Sequence, residues 1–185
     1  MKQQQDLLAM MYTDASLRER FRERPEEVAK DFGLSPEEAA DLRSVAVEEV
    51  DRFADSLHRK RLREVEKLIP TAASMLGDDL SRLFREFAAG FSPVSTKKHL
   101  EDALAFARWL LRGNRLQQPT ADVVKFDAAR LRHGSGDRRI TFCTLGHDVR
   151  PVFDRGGHAS EADIRPRRSL AVWVTIGPRT RFIFI

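Results

Sequence analysis

The stretch from Leu57 to Gly77, LHRKRLREVEKLIPTAASMLG, constrains the fold most, because it joins a helical apolar seam to a proline and a glycine stop. Leu57, Arg61, Val65, Ile69, Ala72 and Leu76 recur at spacings of three or four, the period of a helix turned toward a core. Pro70 removes a backbone donor and crowds the preceding turn, so the helix is expected to break near Leu68 to Ile69 and resume through Leu76. Gly77 then ends it.

The chain before this stretch reads as helical. Leu7, Leu8, Met10 and Met11 suit a short amphipathic helix over Gln3 to Met11, with Thr13 and Asp14 as caps for the next. Leu17 and Phe21 lie four apart, Pro25 resets the chain as a first-turn proline, and Gly33 closes it, so two short helices are expected. Ser35 and Glu38 have capping-box spacing. They open a long helix whose apolar face, Leu42, Ala46, Val50, Phe53 and Leu57, runs into the organising stretch.

After Gly77, Asp78 is placed to cap a helix through Ala89 with Leu80, Leu83, Phe84 and Phe87 inward. Ser95 or Thr96 opens another, with Leu100, Leu104, Ala107 and Leu111 on one face and Phe106 and Trp109 beside them. Ala121 to Leu131 fits neither a helical nor a strand period cleanly. From His133 the pattern changes to alternation: Ile140 to Leu145 reads as a strand, with Val149 to Phe153 as its expected partner. Asp154 to Arg168 is glycine-rich and charged and reads as a long loop. Leu170 to Ile176 and Arg179 to Ile185, separated by Gly177 and Pro178, form an antiparallel hairpin. The expected fold is α+β, a mainly helical region over 1–131 followed by a small antiparallel β lobe over 132–185.

Composition bounds the function classes. At 42% hydrophobic and 32% charged over 185 residues, the chain is a globular protein with a charged surface and a real core. No apolar run approaches a membrane span and the start shows no secretory signal, so a cytoplasmic protein is expected. From Asn114 onward 13 Lys and Arg face 7 Asp and Glu, a net of +6, leaving 19 against 21 and a net of −2 in the rest. A basic C-terminal lobe attracts a polyanion or an acidic peptide, or is simply a solvated arginine surface. Cys143 is alone, which excludes an internal disulfide, and between Phe142 and Thr144 it reads as a strand position. His147, His158, Asp148 and Asp154 match no metal spacing, and no phosphate loop or nucleophile elbow is visible. No catalytic set or cofactor site is therefore expected in this chain. The closing RFIFI is apolar on both faces and must be covered by the helical part, by a partner, or by both.

The pattern RKRLREVEKLIPTAASMLG, then FREFAAGFSP, LEDALAFARWLLRG and PTADVVKFDAARLR, resembles partner proteins of multinuclear iron-dependent peptide-modifying oxidases. Those partners act beside a barrel-type enzyme in pathways to ribosomally made, modified peptides, methanobactin and 3-thiaglutamate among them. The resemblance spans about Leu57 to Leu131, and the hairpin by pattern only; the segment from HGSG to IRPRR has no counterpart. YTDASLRERFRERPEEVAKDFGLSPEEAADL is in addition similar to the small helical module of nitrogen-fixation-type leader peptides. What the resemblance implies is a non-catalytic accessory subunit that binds a precursor peptide by its leader and presents the cysteine-containing end to the enzyme. The pathway implied is the thiaglutamate one, and the iron belongs to the partner. Phe106 and Trp109, in excess of one narrow core face, are the expected partner-interface residues. Val172, Val174, Ile176, Arg179, Arg181 and Ile183 are the expected peptide contacts, the peptide adding as a strand beside one of the two closing strands. The competing class is a nucleic-acid-binding regulator using Arg59, Lys60, Arg61 and Arg63 with Arg165, Arg167 and Arg168. It is disfavoured by the lack of helix-turn-helix spacing. An unrelated helical scaffold is the third reading.

Overall fold

The computed structural model describes residues 2–44, 47–113, 115–136, 138–154 and 164–185. Helices fill the first part of the chain: α1 (Lys2–Thr13), α2 (Ala15–Glu23), α3 (Pro25–Asp31), α4 (Pro36–Ser44), α5 (Val47–Leu68), α6 (Pro70–Leu76), α7 (Asp79–Ala89), α8 (Lys98–Arg112) and α9 (Thr120–Gly134). The end holds β1 (Ile140–Asp148), the short helix α10 (Arg150–Asp154), β2 (Arg165–Ile176) and β3 (Arg179–Phe184). The strands form one antiparallel sheet in the order β1-β2-β3, so the α+β arrangement is as expected. The chain divides into two compact units, residues 1–61 with 88–92 and residues 62–87 with 93–185. Helix α9 and the sheet share the second unit.

In the first unit, Asp14 caps α2 by accepting from the N–H groups of Ser16 and Leu17 at 2.9 and 3.0 Å. The Ser35 and Glu38 box closes in both directions, at 3.1 and 3.2 Å. Leu7, Met11, Leu17, Phe21, Val28, Leu42 and Val50 make its core. Phe53, expected on that apolar face, is 48% exposed, because Val50 and Ala54 take the buried row. Its ring lies 4.4 Å from that of Tyr12. Arg61, the one charged residue of the seam, donates to the Phe91 carbonyl at 3.1 Å.

In the second unit, α5 ends at Leu68, Ile69 takes a non-helical φ of −125°, and Pro70 opens α6. The break is therefore where the proline predicts it. Ile69 has no side chain able to cap α6, and α9 supplies the missing bonds. Asp127 accepts from the Ala72 N–H at 2.8 Å, while Arg130 donates to the Leu68 carbonyl at 3.1 Å and to Asp127 at 3.0 Å. One ion pair thus satisfies backbone groups on both sides of the break. Gly77, at φ +51°, ends α6.

Leu80, Leu83, Phe84 and Phe87 of α7 are buried as expected. Helix α8 begins at Lys98, not beside Ser95 or Thr96, and Glu101 reaches back to accept from the N–H groups of Val94 and Ser95. Its buried row is Ala103, Phe106, Ala107 and Leu110, while Leu100, Leu104 and Leu111 are half-buried. The row is set by Phe106, which meets Phe84 at 5.2 Å and Phe87 at 5.4 Å. Val149 to Phe153 is not a strand. Asp148 accepts from the Arg150 N–H at 3.1 Å and starts α10, where Pro151 has no donor for a ladder. β1 pairs instead with β2, which extends back to Arg165, so residues 165–168 of the expected loop are strand. Residues 155–163 of that loop lie outside the described residues.

Candidate functional site

Helix α9 carries the sheet. Thr141, Trp173 and Phe182 are cross-strand partners, as are Cys143, Ala171 and Phe184, so these residues share the inner face. Phe126 of α9 packs there at 5.0 Å from Trp173, 5.7 Å from Phe182 and 6.3 Å from Phe184. His133, the penultimate residue of the helix, bridges Thr141 and Thr175 at 3.2 and 2.9 Å, and Thr175 pairs with Thr180 at 2.9 Å. Cys143 is buried in β1, which pushes its thiol up to about 11, an inert side chain at neutral pH.

At the far end of β1 a register shift between Leu145 and His147 is held by Asp122 of α9. Its carboxylate accepts from the Gly146 N–H at 2.9 Å, from His147 Nδ1 at 2.8 Å and from Lys125 at 2.8 Å. Burial opposes this charge, but the bonds from Lys125, His147 and Gly146 outweigh it and hold the Asp122 carboxyl below its ordinary value. A lowered carboxyl contributes stability that is present above the ordinary carboxylate range and lost as pH falls through the folded value. Asp122→Asn is therefore expected to flatten the acid side of a stability-against-pH curve; an unchanged acid limb in urea unfolding would count against this role.

The sheet has a second, outer face. Ile140, Val174 and Arg181 form one cross-strand row and Phe142, Val172 and Ile183 the next. All six expected peptide contacts, Val172, Val174, Ile176, Arg179, Arg181 and Ile183, fall on this face by alternation. They differ in what they offer. Val172, Val174 and Ile176 belong to β2, the central strand, whose backbone is paired on both sides, so β2 is not a free edge. β3 is an edge strand.

The register fixes which backbone groups of β3 are open. Leu170 and Ile185 exchange both N–H to carbonyl bonds, at 2.8 and 2.9 Å. Antiparallel pairs alternate between bonded and non-bonded, so Ile183, Arg181 and Arg179 also turn their backbones to β2. Thr180, Phe182 and Phe184 turn theirs to the open side. The residues that could bond an added strand are therefore these three, which the sequence pattern did not single out. Counting back in twos from a paired terminal strand is the signal that finds them.

Phe106 and Trp109 separate. Phe106 is fully buried among Phe84, Phe87 and Trp109, so it fills the core of its own unit and presents no surface for a partner. Trp109 is half-buried, with the Arg115 guanidinium 3.9 Å over its ring. Of the two C-terminal histidines whose spacing matches no metal motif, His147 is engaged by Asp122, and His158 lies outside the described residues. Among the described residues no cluster of three or more His, Cys, Asp or Glu could hold a metal ion, and no helix is long and apolar enough to cross a membrane.

A family model described as SCO6045-like, C-terminal domain, matches residues 45–112, which run through α5 to α8 and stop short of α9 and the sheet. It describes uncharacterised proteins. No curated protein matches the chain.

Proposed function

We propose that this protein is a non-catalytic peptide-binding subunit, which takes an extended acidic segment of a precursor peptide onto the open edge of β3 and presents the rest to a partner enzyme. The observation that carries the reading is the row of open backbone groups at Thr180, Phe182 and Phe184 beside Arg179 and Arg181. Main-chain bonds to such an edge supply affinity without demanding a fixed sequence, and side chains on alternate positions supply register. The arginines supply attraction at a distance: β2 and β3 together carry Arg165, Arg167, Arg168, Arg179 and Arg181 and no acidic residue. The other edge strand, β1, carries Asp148 and lies beside the Asp122 carboxylate, which suits an acidic peptide less well.

The resemblance over Leu57 to Leu131 supports naming the partner as a barrel-type multinuclear iron oxidase and the pathway as the thiaglutamate type. In this reading the iron and its ligands belong to that enzyme, and this chain contributes position. Holding a flexible peptide by its leader raises the local concentration of its reactive end at the partner's site.

The test uses the full chain with a fluorescein-labelled synthetic peptide, extended and rich in aspartate and glutamate, standing in for the leader. Reversing Arg179 and Arg181 together to glutamate should slow association about tenfold at low salt. The difference should shrink as salt shortens the screening length. Equal association rates for the two proteins at low salt would rule out this edge as the acidic-peptide site. For the partner, co-expression with a barrel-type multinuclear iron oxidase of the thiaglutamate type should give one peak on size exclusion, and two separate peaks would reject the subunit role.

A further inference from the structure

We propose that the outer face of the sheet is a docking surface for an amphipathic helix of a partner protein, apolar along one stripe and acidic at its flanks. The inner face is covered by α9 along β1 and β2, and the outer face is apolar too. Ile176, Phe142 and Ile185 are 69, 67 and 71% exposed, and Ile140 and Ile183 are each 49% exposed. A sheet apolar on both faces needs a layer on each, and a contiguous exposed apolar face of this kind marks an interaction surface. This goes beyond peptide capture at the β3 edge, because an occupant of the face meets side chains only.

Backbone chemistry decides what kind of occupant fits. A single extended strand laid flat on Phe142 and Ile183 would bury its own N–H and carbonyl groups against carbon, with nothing to bond. A helix satisfies them internally. The outer strands lie about 10 Å apart across β2, which matches a helix about 10 Å across.

Charge decides between a foreign helix and a second copy. The apolar patch ends in Arg179 and Arg181 near the hairpin, and β2 carries Arg168 toward the opposite end. In an aligned two-fold packing of two such faces, arginine meets arginine whether the hairpin ends lie together or opposed. Among the described residues these three arginines have no ion-pair partner. A helix with glutamates at both flanks of its apolar stripe would supply one at each end.

The probe is a labelled synthetic helix of about five turns, with leucines at i, i+3, i+4 and i+7 and glutamates beside them. Binding to the full chain is followed by fluorescence anisotropy. Its lysine-for-glutamate counterpart should bind at least about tenfold more weakly, and Phe142→Glu should weaken the acidic helix by about tenfold. Thr180→Pro, which alters the edge and not the face, should leave it unchanged and so separates this surface from the peptide site. Ile176→Glu serves the same purpose if Phe142→Glu fails to fold by circular dichroism. No binding, equal binding of the two helices, or binding indifferent to both face variants would overturn the proposal. So would a concentration-dependent dimer in analytical ultracentrifugation that Phe142→Glu dissociates, since the occupant would then be a second copy.

Discussion

Thr180→Pro is expected to weaken leader-peptide binding about tenfold, while Thr180→Ala changes it little. Thr180 sits where the ladder leaves its N–H on the open side of β3, so proline removes a donor that only an added strand would use. The ring also crowds an approaching backbone. Proline is tolerated at sheet edges for the same reason, so the hairpin should survive. Alanine controls for loss of the hydroxyl that bonds Thr175. Anisotropy titrations of the two variants decide the matter: equal affinities would place the peptide on another surface. Substitution at Val174 or Ile183 would not serve, since both turn their backbones inward to the ladder. Deleting Arg179 to Ile185 would strip Phe182 and Phe184 from Phe126 and so disturb the inner face together with the edge.

The second large effect is expected at Asp127. It is fully buried and accepts from the Ala72 N–H and from Arg130, so alanine leaves an unbonded donor and a half-buried guanidinium without its partner. A loss of about 3 kcal/mol is expected. For a chain of this size it lowers the melting temperature by about 10 °C. Asparagine keeps an acceptor for Ala72 and should lose less. Burial raises the Asp127 carboxyl above its ordinary value, against the bonds from Ala72 and Arg130. A raised carboxyl stabilises most below the ordinary carboxylate range, and that contribution falls as pH rises through the folded value. The gap between the native protein and Asp127→Asn should therefore narrow on raising pH through that range. Thermal melts across the acid range test both points, and a melting temperature unmoved by alanine would rule out the capping role.

Local signals carried most of the helical part into the sequence. Pro25, the Ser35 and Glu38 pair, Pro70 and Gly77 each act through their own backbone or the adjacent turn, so no knowledge of distant residues is needed to read them. The residues around α9 show the opposite. Its buried positions include Thr120, Asp122, Val123, Val124, Phe126, Asp127 and His133, because α6 and α8 lie on one side and β1 on another. A helix packed on several sides has no single apolar stripe, which is why Ala121 to Leu131 matched no period. Its buried acids, Asp122 and Asp127, accept from backbone groups remote in sequence, a role with no local signal. The site was half legible for a related reason. Alternation placed Val172, Val174, Ile176, Arg179, Arg181 and Ile183 on one face. Whether a strand is central or at an edge, however, depends on pairing with β1, which only the fold supplies.

The bond from Asp127 to Ala72 spans 55 positions along the chain. Helix α6 has seven residues, too few to persist alone, and its first turn finds its acceptor on a helix made much later. A fragment cut at Arg112, where the SCO6045-like match ends, would hold the proline break without the residues that bind its two sides together. The segment matched by that family model is thus expected to order its proline break fully only when α9 is in place. Whatever loads the sheet also loads α9, and through Asp127 and Arg130 that load reaches the joint between α5 and α6.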